Sequence, residues 1–307
     1  MTSSASPSLK ALAGVRVLSL SLNLPGPAAL LRLARMGAQC VKLEPPAPVL
    51  TVPTMSPTDI TGDPMSTYSR SAYAALHQGI EVQVANLKTD TGQASLQHEL
   101  AQAQVLLTSF RPGALRKLGL SWDALHLQYP KLSLIAIVGA PGVRAEEPGH
   151  DLTYMAENDL ITGLDLPATL YADMAGALLA SEAVLQAVLL QAQTGEGSYF
   201  EVALSDAAAH LALPRSWGLT LPGTAIGGGH AGYKVYACLD GRVALAALEP
   251  HFAKSLCQVA GLDWAGIEMM QTPATHQAIA QFVARLSRAE LQVLAAQHDI
   301  PLHTLSN

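Results

Sequence analysis

The chain has 307 residues, of which 50% are apolar and 14% charged, with a formal net charge of −6. That much apolar side chain fills one large or two modest cores and excludes disorder by composition. The acidic balance disfavours nonspecific nucleic-acid binding, so an anionic ligand must be held by a few local cations and backbone dipoles.

The first residues carry neither a basic n-region nor an apolar h-region, and no signal peptide is expected. Residues 1–10 read as a disordered tail. Val15–Leu20 is rich in β-formers and predicts a strand. Leu30, Leu33, Ala34 and Gly37 then follow at helical spacing, with Pro27 suited to a first turn and Gly37 to a C-terminal cap. Cys40–Glu44 predicts the next strand, which completes a βαβ unit and implies a parallel sheet. Six prolines between residues 45 and 65 predict a loop. Strands are expected at Val82–Ala85, Val105–Ser109 and Leu132–Val138, with a helix at Thr91–Gln102. The last of these strands runs into a loop, Gly139–Gly149, and ligands bind at such strand ends in open α/β sheets.

A helix over Asp173–Gln193 and a strand at Tyr199–Leu204 finish the larger part. The helix includes the most apolar stretch of the chain, but Ser181, Glu182 and Gln186 interrupt it. It therefore reads as a buried or amphipathic helix rather than a membrane span. Residues 206–230 read as a linker. Tyr233–Cys238 and Arg242–Leu248 flank Asp240-Gly241 as a hairpin, and helices are expected at Pro250–Ala260, Thr275–Leu286 and Ala289–Gln297. The expected organisation is a large domain over 11–205, a smaller α+β domain over 231–297, and a truncated return segment over 298–307. Cys40, Cys238 and Cys257 are too far apart for a disulfide framework or a zinc ribbon and read as buried free thiols. No metal site is expected, and a cytoplasmic location is.

Four places carry possible chemistry: Pro148-Gly-His-Asp-Leu-Thr-Tyr154, Ala172-Asp-Met-Ala-Gly176, Gly227-Gly-Gly-His-Ala-Gly232 and Leu248-Glu-Pro-His-Phe252. Each also has a purely structural reading. His150 can be a loop histidine bonded to backbone, Asp173 a helix N-cap, Glu249 a first-turn acid, and the glycines a flexible connection. Met155, Leu160 and Ile161 can line an acyl pocket or simply fill the core. No P-loop, dinucleotide fingerprint, GxSxG or HExxH is present.

Taken in order, Pro25-Gly-Pro, Leu33-Ala-Arg-Met-Gly-Ala-Gln-Cys-Val-Lys-Leu-Glu44-Pro, Ala85-Asn-Leu-Lys88, Phe110-Arg-Pro-Gly113, Gly149-His-Asp151, Asp173 and Gly195-Glu-Gly197 resemble the class III CoA-transferase family over about residues 11–300. Gly228-Gly229, Tyr233-Lys-Val-Tyr236 and Leu248-Glu-Pro-His-Phe252 place the resemblance nearest the alpha-methylacyl-CoA racemase branch. The resemblance implies an interlocked homodimer, a Rossmann-like large domain and a small domain. It implies coenzyme A as part of a thioester substrate, with no permanently bound cofactor, no nucleic acid and no membrane as partners. It implies His150, Asp173 and Glu249 around the thioester, with Glu249 from the partner chain. It also implies CoA contacts from Ala85, Lys88, Arg111, Lys117, Asp151 and Tyr154.

On that basis His150 and Asp173 are a pair of proton carriers for racemising a 2-methylacyl-CoA, with Glu249 orienting His150. The enolate would be stabilised by the helix N-terminus at Asp173 or by the Gly227–Gly229 loop. Two further readings stand beside this one. In the first, Asp173 is the nucleophile of a CoA transfer to a carboxylic acid. In the second, the chain is a degenerate homologue acting as a binding or partner subunit. Members of the family usually carry a basic residue after the second strand and Asn-Arg-Gly-Lys before the third. Here Pro45-Pro-Ala47 and His77-Gln-Gly-Ile-Glu81 stand in those places, which predicts weakened CoA binding.

Overall fold

Alternate side chains on the central strands are apolar, and each set needs its own cover. The computed structural model, which describes residues 10–47 and 61–306, supplies a layer of helices for each face. The expected tail over 1–10 lies almost wholly outside the described residues, as does most of the proline-rich loop. In chain order the first unit contains β1 (Arg16–Ser19), α1 (Pro25–Arg35), β2 (Gln39–Glu44), α2 (Met65–Tyr68), α3 (Arg70–Leu76) and β3 (Glu81–Val84). There follow α4 (Asp90–Leu100), β4 (Val105–Thr108), α5 (Pro112–Lys117), α6 (Trp122–Gln128) and β5 (Ser133–Val138). It closes with α7 (Asp151–Glu157), α8 (Tyr171–Thr194), β6 (Tyr199–Ala203) and α9 (Leu204–Leu211).

The six strands are parallel in the order β3-β2-β1-β4-β5-β6. One face packs Val17, Val105, Leu107, Ile135 and Ile137 with α1 and α8. The other packs Leu18, Val41, Leu106 and Leu134 with Leu96, Leu100, Leu115 and Leu125 of α4, α5 and α6. Leu30 and Leu33 of α1 are fully buried, each worth about 2 kcal/mol of apolar transfer. The expected cap of α1 forms. Gly37 sits at φ 102°, its N–H donates to the Ala34 carbonyl at 3.0 Å, and the Ala38 N–H donates to Leu33 at 3.1 Å.

Among the described residues, α8 is the one helix long and apolar enough to cross a membrane. It packs along α1, α7 and α9 through Ala172, Gly176, Ala177, Ala180 and Ala187, small residues that let helices approach closely. A Cβ on Gly176 would run into Leu204. Tyr171, Met174, Leu178, Leu189 and Leu190 of α8 stand exposed.

The chain divides after Ala212. The stretch expected to be a linker, 206–230, is in fact partly helical: α9 belongs to the first unit, and α10 (Leu213–Ser216) and a 3₁₀ turn at Ala225–Gly227 belong to the second. Sparse polar residues made this stretch look patternless, yet Ala207 and Ala208 of α9 are buried. The second unit is an antiparallel sheet of β7 (Tyr233–Cys238), β8 (Gly241–Ala246) and β9 (Leu302–Leu305), with α11 (Pro250–Val259), α12 (Pro273–Val283) and α13 (Arg288–His298). β9 corrects the expectation of a return segment over 298–307. Leu302 pairs with Leu245 and Leu305 with Arg242, so this stretch completes the small sheet. Val243, Leu245, Leu256, Ile279, Val283 and Leu291 form the core of this unit.

Candidate active site

In a parallel sheet of this order the connections from β1 and β4 leave in opposite directions. The crevice between them, at the C-terminal strand ends, is where a ligand fits. A cleft of about 390 Å³ opens there. Its walls include Leu22, Asn23 and Leu24 after β1, Ser109 and Arg111 after β4, Val138 and Gly139 at the end of β5, and His150, Asp151, Tyr154 and Asp173.

Two helix starts deliver the titratable groups. His150 is the N-cap of α7; its backbone N–H donates to Thr153 Oγ1 at 3.1 Å and the Thr153 hydroxyl donates back to the His150 carbonyl at 2.7 Å. The imidazole is left exposed at the cleft. Asp173 lies in the first turn of α8, whose N-cap is Leu170, so the purely structural alternative of Asp173 as the helix N-cap does not hold. The capping acceptor comes from far off in sequence: Asp151, 4% exposed, accepts the Asp173 backbone N–H on Oδ1 at 2.9 Å. One carboxylate thereby fixes the backbone that carries the other.

Burial pushes the Asp173 carboxyl up to about 6, with the Asp151 charge adding to the rise and His150 opposing it. A carboxyl near 6 exchanges a proton readily at neutral pH, which suits general acid–base work. Burial likewise pushes the Tyr154 phenol up; Asp173 reinforces this and Arg111 opposes it. Tyr154 is held between two glycines. A Cβ on Gly149 would lie 2.5 Å from the Tyr154 Oη, and one on Gly139 would also collide with it.

The cleft thus brings together His150, Asp173, Arg111, Asp151 and Tyr154 of the expected residues. It does not include Ala85, buried just after β3, Lys88, exposed in the following turn, or Lys117, exposed at the end of α5. Glu249 belongs to the second unit, where it is the exposed N-cap of α11. Sequence reasoning missed Asn23, Met65, Tyr68 and Ser109, which also line the cleft. The signal available for Asn23 and Ser109 was their place at or just beyond the C-terminal end of a predicted parallel strand. Met65 and Tyr68 gave none, because they lie at the end of a proline-rich loop.

The sequence pattern of CoA-transferase family III matches residues 12–307. The chain belongs to that family. It is 26% identical over 266 residues to succinate–glutarate CoA-transferase of Agrobacterium fabrum, an alignment covering 82% of this chain and 66% of that one. It is 28% identical over 270 residues to human alpha-methylacyl-CoA racemase, covering 82% of this chain and 65% of that one. The chain therefore spans about two thirds of the length of these curated relatives. The hypothetical protein Rv3272 of Mycobacterium tuberculosis shares the fold, with a TM-score of 0.78 at 22% identity over 97% of this chain and 86% of that one. Family membership fits an α/β chain with a cleft at its parallel strand ends; within the family the relatives divide between transferases and racemases.

Proposed function

We propose that this chain acts on acyl-CoA thioesters and racemises 2-methylacyl groups by removing and returning the α proton. The observation that carries this reading is one cleft holding His150 and an Asp173 carboxyl raised to about 6. The Asp173 carboxylate takes the α proton and becomes the neutral acid, and the thioester becomes an enolate. Imidazolium at His150 returns a proton on the other face and becomes neutral. The reverse turnover exchanges the roles. Each proton carrier supplies about 10²–10⁴-fold. The enolate oxygen needs donors as well, and the N-terminal end of α8, whose first turn carries Asp173 at the cleft, is assigned to supply them. Arg111 is the cation of the cleft assigned to CoA. In this reading the working form is a homodimer in which a second copy supplies Glu249 to orient His150, and the exposed apolar side chains of α8 support a covered partner face.

A second reading is favoured by the relatives named as CoA-transferases. In it the Asp173 carboxylate attacks the thioester carbonyl and expels CoA thiolate, leaving an acyl–aspartyl anhydride. The thiolate then attacks the Asp173 carbonyl, which releases the acyl group as a free carboxylate and leaves CoA as an aspartyl thioester. An acceptor carboxylate takes the CoA by the same two steps in reverse. Incubation with a 2-methylacyl-CoA in D₂O separates the two. Deuterium at the α carbon without any added acid is expected; CoA passing to an added carboxylate with no deuterium incorporated would overturn the racemase reading. No thermal stabilisation by millimolar acetyl-CoA would defeat both and leave a non-catalytic subunit.

A further inference from the structure

Lys42 lies on β2 with its side chain fully buried, a place where an ammonium cannot stay without anions and acceptors. Its Nζ lies 2.5 Å from Asp63 Oδ2, 2.8 Å from His77 Nε2 and 3.8 Å from Glu44 Oε2. An ammonium only donates, so His77 Nε2 accepts and the ring carries its hydrogen on Nδ1, which donates to the Tyr73 carbonyl at 2.7 Å. Burial, then Lys42, pushes the His77 pKa down, consistent with a neutral ring. Glu44 is satisfied separately, by the Tyr73 hydroxyl and by the Thr61 hydroxyl at 3.1 Å.

The other oxygen of Asp63 faces the cleft wall. Oδ1 accepts the backbone N–H of Asn23 at 3.0 Å and that of Met65 at 2.9 Å. Both residues line the cleft, one from the β1–α1 turn and one from α2. Asn23 holds a left-handed backbone, φ 64°, which a free turn does not keep without support. One carboxylate therefore ties two stretches of wall, the first of them 40 residues before it in the chain, to a charge anchored in the sheet. None of these hydrogen bonds reaches His150 or Asp173, whose settings come from Thr153 and Asp151.

We propose that Asp63, anchored by Lys42, is a positioning residue that sets the β1–α1 and α2 walls of the cleft and thereby the affinity for the thioester. This rests on the reading above only for the ligand's identity.

The test compares the paired variants Lys42→Met/Asp63→Asn and Lys42→Met/Asp63→Ala, which both remove the Lys42–Asp63 charge pair together and leave Glu44 in the same state, with its Tyr73 and Thr61 hydroxyl donors. The first keeps an amide oxygen for the two N–H groups; the second does not. Acetyl-CoA titration is expected to give a Kd within about threefold of wild type for the first and weakened about tenfold for the second. The kcat and the pH midpoint near 6 stay at wild-type values in both. Equal affinity in the two pairs, or a loss confined to kcat, overturns the proposal. Hydrogen exchange on the wild-type chain decides the matter if a variant does not fold. The Asn23 and Met65 amides are expected to exchange about a hundredfold slower than a free chain, and exchange at the free rate overturns the proposal. A wild-type chain that binds no acetyl-CoA defeats the functional reading instead, and the exchange result then judges Asp63 alone.

Discussion

Replacing Asp173 by Asn should abolish activity while making the protein more stable at alkaline pH. The folded carboxyl titrates near 6 against 3.8 for an ordinary aspartate, mainly because it is buried. A carboxyl whose folded pKa is raised contributes full stability below 3.8 and loses it as pH rises through 6. The difference is about two pH units at ~1.4 kcal/mol each, an upper bound of about 3 kcal/mol for holding the charge at pH 8. The residue keeps some contact with solvent through the cleft, which lowers the expected gain to about 2 kcal/mol, or roughly 4 °C in Tm. The Asn side chain leaves the backbone N–H of residue 173 free to donate to Asp151 as before. Thermal unfolding of wild type and Asp173→Asn at pH 4 and pH 8 reads the effect directly. The variant should gain at pH 8 and be equal to wild type at pH 4. A gain that does not depend on pH, or a loss at pH 8, would refute burial as the cause of the raised carboxyl.

Other consequences follow from the same geometry. Asp151→Asn keeps an oxygen for the Asp173 N–H but removes the neighbouring charge, so the pH midpoint of kcat/KM should move below the wild-type value with the chain still folded. In the direction where Asp173 takes the proton, kcat/KM should rise with pH through about 6; in the direction where it gives the proton, it should fall over the same range. His150→Ala should lower kcat by about 10²–10⁴-fold in both directions, measured by α-deuterium incorporation. Gly149→Ala places a methyl group against the Tyr154 hydroxyl and should cost about 1–3 kcal/mol in urea unfolding.

Much of the fold was legible because it is written locally. Alternating apolar strands separated by helix-spaced segments specify a parallel sheet, and Gly37 marks the end of α1 because a left-handed cap tolerates little else. The chain order of short motifs also carried the family, and with it His150 and Asp173. The helix over 204–211 and the strand at 302–305 were not legible, because each is decided by burial against elements distant in the chain. Leu302 becomes a strand residue by pairing with Leu245.

The sequence by itself therefore determined which residues are assigned here as proton carriers and roughly where the strands end. Tertiary structure alone decided how those carriers behave. Asp151 can hold and charge-couple Asp173, 22 residues away, only after α7 and α8 have packed together. Lys42 reads as a charge out of place in an apolar strand until Asp63 and His77 close over it. The physical reason is common to both. Secondary structure depends on periodicity along the chain, whereas a proton's affinity depends on burial and on charges that only folding brings near.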